Sequence, residues 1–528
     1  MKNTICNPIL PINEYIPDGE PHVFGDRVYL FGSHDKEGGY TFCMEDYAVY
    51  SAPVSDLTDW RCDGISYRAD QDPDYSERKY MYAPDVVCGN DGRYYLYYSM
   101  AGDYGQGGYF GPISVAVSDV PEGPYEYLGF VKNADGTPMN KYVCFDPAVI
   151  NDDGVIRLYY GTRYGYEEDP DFLTNGRLES EMEMFNRTCE EILAYEDSIN
   201  GASMLVLEDD MLTVKEEAKH IIPYKVKGTD FEDHAFFEGS SIRKVNNKYY
   251  FIYSSWLNHE LCYAISDKPD RDFVYGGTIV SNGDIGLDGR KPEDRLNITG
   301  TTHGSIENIN GQWYVFYHRQ THKSDYSRQA CAEKITIKPD GSIDQVEVTS
   351  CGLNDGPLPA SGSYPAVICA NLTDFHMPHV SNCFINDTCP NVTHFNDDRF
   401  VGEIGDETLI GYKYFDFKNV KKISVCARVE TENNKYISNA PERIDERSEL
   451  PEFKRRAWTG ERKKYDKNTI EFKLDPNGKT VGTTEVIRTD DELAWSVFEA
   501  DVDIPDGVHA LYLIYHGNDR IQIKDIIF

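Results

Sequence analysis

Gly92-Arg93-Tyr94-Tyr95-Leu96-Tyr97-Tyr98 sets a turn residue ahead of a short run of aromatic and aliphatic side chains, the signature of a strand leaving a tight turn. The same pattern stands at Gly25-Asp26-Arg27-Val28-Tyr29-Leu30-Phe31, Gly154-Val155-Ile156-Arg157-Leu158-Tyr159-Tyr160, Asn247-Lys248-Tyr249-Tyr250-Phe251-Ile252-Tyr253 and Gly311-Gln312-Trp313-Tyr314-Val315-Phe316-Tyr317. The five starts lie 67, 62, 93 and 64 residues apart, and such self-similarity marks a repeat architecture. A weaker motif, Ala116-Val117-Ser118-Asp119 and Ala264-Ile265-Ser266-Asp267, leads through a proline into a further strand, so each unit reads as about four antiparallel strands. Five such units predict an all-β chain in which residues 1–350 form a five-bladed β-propeller.

The long third interval holds an insertion of roughly thirty residues with the one helical pattern, over 175–196. There Leu178, Met182, Met184, Phe185, Ile192 and Leu193 fall on one stripe, and the insertion is expected to border the site. Residues 351–364, rich in Gly, Pro and Ser, end the repeat and read as a linker. Beyond them, alternation such as Lys422-Ile423-Ser424-Val425-Cys426-Ala427-Arg428-Val429 predicts a β-sandwich over 365–528. The charged stretch 430–466 reads as a solvated excursion, and the tandem second module offers a surface for a homo-oligomer.

With 52 Lys+Arg against 89 Asp+Glu, the formal charge of −37 excludes a nucleic-acid partner, which needs a basic face. An aromatic content of 13%, with 39 Tyr, excludes a disordered chain. The first residues lack the apolar stretch of a signal peptide, and no apolar run approaches the ~18 residues of a membrane span. A cytoplasmic chain with no membrane partner is expected. The 13 scattered Cys, with no CxxC pair, fit reduced thiols.

Seven to nine residues before each repeat start stands a residue able to do chemistry: Asp18, Asp85, Asp146, Glu238 and His303. In a propeller that strand is innermost, so the five are expected to converge at one mouth of the central channel. Singly, each has an ordinary explanation. Asp18 in Pro17-Asp18-Gly19-Glu20-Pro21 suits a turn, Asp146 suits a loop cap, Asp85 a structural acceptor and His303 a core histidine. Glu238, between Phe237 and Gly239, is harder to dismiss, because an apolar wall raises a carboxyl pKa as a general acid requires. The chain has no HExxH, no Walker loop, no GxGxxG at a strand-to-helix turn and no nucleophile elbow. Paired carboxylates remain, and they suit glycoside cleavage.

Asn7-Pro8-Ile9-Leu10-Pro11 leading to Asp18, Tyr82-Ala83-Pro84-Asp85, Phe145-Asp146-Pro147-Ala148, Phe237-Glu238-Gly239-Ser240-Ser241 and Thr302-His303-Gly304-Ser305 together resemble glycoside hydrolase family 43. The resemblance implies an inverting enzyme. In it Asp18 is the general base, Glu238 the general acid, and Asp146 the residue that orients the acid and adjusts its pKa. Many members carry Asp-Pro at the base position, and the departure here leaves Glu20 as a second candidate for that role. No cofactor is required. His303 resembles the histidine that helps hold a hydrated calcium on the axis in several members. His34, Tyr82, Asp85, His318 and Arg319 are expected to contact the sugar, Tyr82 as an aromatic platform. The last forty or so residues resemble a family 6 carbohydrate-binding module, a jelly roll.

The expected activity is exo-release of terminal α-L-arabinofuranosyl or β-D-xylosyl units from plant-type oligosaccharides. A β-D-galactofuranosidase, a non-catalytic carbohydrate-binding propeller and a retaining fructan hydrolase are the rival readings.

Overall fold

The tyrosine-rich runs are the second strands of five consecutive antiparallel sheets in the computed structural model, which describes residues 5–163, 176–194, 198–374, 389–437 and 463–528. Four sheets have four strands and the fifth has three. Their first strands, Glu20–Phe24, Asp85–Cys88, Ala148–Asp152, Phe236–Val245 and Ser305–Ile309, each touch the next, and the fifth touches the first. The sheets thus close a ring. The N-terminal segment fastens it, since Ile9 N–H donates to the Ala330 carbonyl (2.9 Å) and Ala332 N–H to the Asn7 side chain (2.9 Å) on the outer strand of the fifth sheet.

Alternation along each second strand explains the repeat. Tyr95 and Tyr97 pack with Leu158 and Tyr160 of the third sheet, while Leu96 and Tyr98 pack with Tyr29 and Phe31 of the first. Side chains on a strand point alternately to its two faces, and here both faces are covered by a neighbouring sheet, so the run from Tyr94 to Tyr98 carries no charged residue. Burying side chains of this size stabilises by roughly 1.5–3 kcal/mol each. Tyrosine adds a hydroxyl that needs a partner. Tyr97 donates to the Met211 carbonyl (2.7 Å), Tyr160 to the Lys141 carbonyl (2.8 Å) and Tyr250 to the Gly341 carbonyl (2.9 Å), tying strands to loops outside the sheets.

The expected helical pattern is two helices, Arg177–Phe185 and Cys189–Ile192. Leu178, Phe185 and Ile192 bury against Tyr82, Val143 and Phe145, whereas Leu193, expected on the same stripe, is exposed. Residues 164–175 and 195–197 of the insertion lie outside the described residues, as do 438–462 of the charged excursion.

After residue 350 the chain builds two six-stranded sheets, from which one apolar cluster draws Ile410 and Phe415 on one side and Val425 and Ile523 on the other. Within 351–364, Leu358–Pro359 pairs with Leu409–Phe417, and Ser363–Pro365 pairs with Ile521–Ile527. These pairings join the segment to the C-terminal sheets. The two parts of the chain also meet through Lys413, whose ammonium lies 2.9 Å from Asp284 and 2.6 Å from Glu347. No described helix is long and apolar enough to cross a membrane.

Candidate active site

Asp18 opens the first sheet and sits almost wholly buried with φ 58°, a left-handed backbone that aspartate tolerates better than most residues. Its carboxylate accepts from the Arg328 guanidinium at 2.9 and 3.1 Å and from the Ser33 hydroxyl at 2.6 Å. Arg328 is itself gripped by the buried Asp35, through Nε (2.9 Å) and Nη2 (2.9 Å), and Phe42 lies 4.8 Å from the guanidinium carbon. Burial alone would raise the Asp18 pKa. The Arg328 charge and the Ser33 hydrogen bond outweigh it and hold Asp18 below the usual carboxylate value, so it stays ionised.

Asp146 opens the third sheet, also buried and also left-handed, with φ 45°. Its Oδ2 accepts from Gly239 N–H at 2.9 Å, immediately after Glu238. Burial first, then the charges of Glu238 and Asp18, push the Asp146 pKa well up. Two carboxyls that share a site resist double ionisation and keep a proton between them. Glu238 is half-buried at an irregular point in its strand, where the register with Ser254 and Ile252 shifts. A bulge of this kind re-aims a side chain next to a site. The Phe237 carbonyl beside it is held by Arg163 N–H (2.8 Å) and the Thr162 hydroxyl (2.9 Å). Gly239 has φ +74°, and a Cβ there would stand 3.1 Å from the His303 ring, so only glycine lets the two strands approach this closely.

His303 completes the group, with Nδ1 at 3.8 Å from Asp18 and Nε2 at 4.0 Å from Glu20. Both His303 Nε2 and Glu20 Oε1 are buried without a hydrogen-bond partner among the described residues. An imidazole nitrogen and a carboxylate oxygen left open toward one another suit a cation that keeps most of its water, so the residues fit a hydrated calcium. Burial pushes Glu20 up to about 8 while Arg243, 2.8 Å away, pulls it down and Asp85 adds to the rise. Buried and paired with Arg243, Glu20 is poorly placed to act as the base.

The expected sugar contacts divide. Asp85 is fully buried, and its carboxylate is spent on His22 (2.7 Å), Val86 N–H (2.7 Å) and Val149 N–H (2.7 Å), which join the first three sheets; it is a structural acceptor and no sugar contact. His318 accepts from Asp18 N–H at 3.1 Å through Nδ1 and contacts the Thr301 carbonyl at 2.8 Å through Nε2. Burial pushes its pKa down to about 3, so it orients Asp18 as a neutral ring and has no face for substrate. Arg319, the next residue, points the other way, donating to the carbonyls of Ala370 (3.0 Å) and Cys369 (3.3 Å), and anchors the C-terminal part instead of a sugar. His34 is engaged by the Asp46 carbonyl (2.8 Å) and Glu14 (3.5 Å). Tyr82 lies beside Phe145 and Phe42, with ring centroids 5.8 and 6.3 Å apart, and its buried hydroxyl has no hydrogen-bond partner among the described residues.

Arg328, Asp35, Ser33 and Phe42 belong to the site and were not expected. Arg328, Asp35 and Phe42 have no identical residue at the same spacing in the other repeats. Replacing Arg328 by Met is predicted to raise the Asp18 pKa, because burial is then unopposed by the guanidinium, and to move the acid limb of kcat/KM to higher pH. Arg328→Lys, which keeps the charge, should move it less. A limb that stays in place in Arg328→Met would contradict this account of Asp18.

A buried carboxylate held ionised beside a pair of carboxyls that retain a proton suits glycoside cleavage by acid and base. The comparisons agree with that chemistry. The family model described as "Glycosyl hydrolases family 43" matches residues 5–343, and the chain belongs to this family. It is therefore a glycoside hydrolase, and its all-β architecture is consistent with the family's propeller fold. It is 39% identical to a xylosidase/arabinosidase of Thermoclostridium stercorarium, over 99% of this chain and 98% of that protein. It is also 32% identical to xylosidase/arabinosidase 43A of Humicola insolens, over 63% of this chain and 96% of that protein.

Proposed function

We propose that the chain is an inverting, exo-acting glycosidase that releases terminal α-L-arabinofuranosyl or β-D-xylosyl units from plant-type oligosaccharides. The observation that carries the reading is the opposed electrostatics of the axis: Asp18 is held ionised by Arg328, while Asp146 is driven toward its protonated form beside Glu238. The relative that spans the whole chain is named for both activities, which supports the substrate pair.

In this reading Asp18 takes a proton from the water that attacks the anomeric carbon. Glu238 gives a proton to the leaving oxygen on the opposite face of the ring. Asp146 is a positioning residue, since its bond to Gly239 N–H fixes the backbone that aims Glu238. Exo action is supported by the relative that spans the whole chain, which is named as a xylosidase/arabinosidase. His303 and Glu20 would hold a hydrated calcium, which when bound supplies positive charge that favours ionised carboxylates nearby. The five sheets are read as five blades of one propeller, and the two six-stranded sheets as a jelly-roll sandwich, with the boundary inside 351–364. The free thiols of the described cysteines support a reducing, cytoplasmic setting.

Assay of the purified chain on 4-nitrophenyl α-L-arabinofuranoside, β-D-xyloside and β-D-galactofuranoside tests the assignment. Cleavage of the first two is expected. Preference for the third would replace the substrate class, and sugar binding without cleavage of any would overturn the enzymatic reading.

A further inference from the structure

The loop that follows Asp35 is held from three sides. At its start the Glu37 carboxylate lies 3.0 Å from Arg399 Nη2 and 3.3 Å from His394 Nδ1, both in the C-terminal part, and accepts from the Tyr15 hydroxyl at 3.1 Å. Gly38, φ +68°, lies flush against Tyr436, where a Cβ would stand 2.9 Å from the hydroxyl. Further on, the Tyr40 hydroxyl meets the Tyr80 hydroxyl (3.1 Å) and Asp103 (3.2 Å) of the neighbouring repeat. Between these ties and the first sheet the loop delivers Phe42 onto Arg328, and Cys43 N–H donates to Asp35 at 2.9 Å.

Glu37 is two residues from Asp35 and five from Phe42, the two groups that fix Arg328 against Asp18. An extended chain spans at most about 3.6 Å per residue, so Arg399 acts on a point within roughly 18 Å of Phe42 along the chain. The Glu37–Arg399 pair is partly buried, with side chains 27% and 20% exposed, which shields it from the full screening of a surface ion pair.

We propose that the C-terminal part is a working component of the active site: Arg399 and His394, by holding Glu37, fix the 36–45 loop and through it the placement of Arg328 and Phe42. They are positioning residues for the glycosidase reaction. The inference rests on the function proposed above and adds a contribution from outside the family-matched residues 5–343.

Three full-length variants test it, each assayed beside the wild type on 4-nitrophenyl β-D-xyloside and α-L-arabinofuranoside. Arg399→Ala is expected to lower kcat roughly 10- to 100-fold, the scale of loss when a positioned group shifts by about an ångström, with a smaller change in KM. Arg399→Lys, which can still pair with Glu37, should recover much of it. Glu347→Ala, which removes the ion pair with Lys413 on another patch between the two parts, should leave kcat within about twofold while lowering Tm. Wild-type kcat in Arg399→Ala, or an equal loss in Glu347→Ala, would overturn the proposal. Hydrogen exchange over residues 36–45 reads the same point without substrate. Faster exchange in Arg399→Ala than in wild type or Glu347→Ala is expected, and unchanged exchange would overturn the proposal even if the substrate assignment fails.

Discussion

Asp18→Asn is expected to lower kcat about a thousandfold on every substrate, whatever its leaving group. The amide keeps the size of the carboxyl, its oxygen can still accept from Arg328 and its NH2 can donate to the Ser33 hydroxyl, but it cannot take a proton from water. Because the base acts on the attacking water and not on the departing oxygen, an activated leaving group does not rescue the variant. Arg328 retains Asp35 as a partner, at 2.9 Å through two nitrogens, so its charge is not stranded and the fold should hold. A Tm close to wild type, measured alongside kcat, separates lost chemistry from lost structure. Turnover near wild type would remove Asp18 from the base role.

Glu238→Ala is expected to divide substrates by leaving group. On xylobiose or an alkyl glycoside, whose leaving oxygen needs a proton, kcat should fall by two to four orders of magnitude. On 2,4-dinitrophenyl β-D-xyloside, whose phenolate departs without help, most of the activity should remain. The basic limb of the pH profile should disappear as well, since it reports loss of the acid's proton. An equal loss on both kinds of substrate would mean that Glu238 shapes the pocket without donating the proton.

Much of the site was legible because repetition put it in register. Asp18, Asp146, Glu238 and His303 all stand seven to nine residues before the tyrosine-rich runs, at the first strands whose ring closes the five sheets. Asp85 occupies the same position, yet three donors from adjoining sheets consume its carboxylate, a demand that no spacing reveals. The pair His318-Arg319 was readable in part: neighbours on a strand face opposite ways, so only one of them had access to the axis. Which one, and that it would orient Asp18, depended on the partner strand. Arg328 was hidden because the third strands of the other sheets start with Tyr47, Ser114, Gly201 and Glu260, so no residue type recurs at its place. The contact of Glu37 with Arg399 joins residues 362 apart and leaves no local pattern. The two C-terminal sheets were visible in their alternation, whereas the strands within 351–364 were masked by glycine and proline.

The central claim is that Asp18 and Glu238 act from opposite faces of the sugar in a single displacement. Proton NMR of the first-formed product during hydrolysis of 4-nitrophenyl β-D-xyloside, recorded before mutarotation, tests it most directly. The account predicts α-xylose as the initial anomer, with the β form growing in later. Initial β-xylose would mean two displacements and a covalent intermediate, and would contradict it.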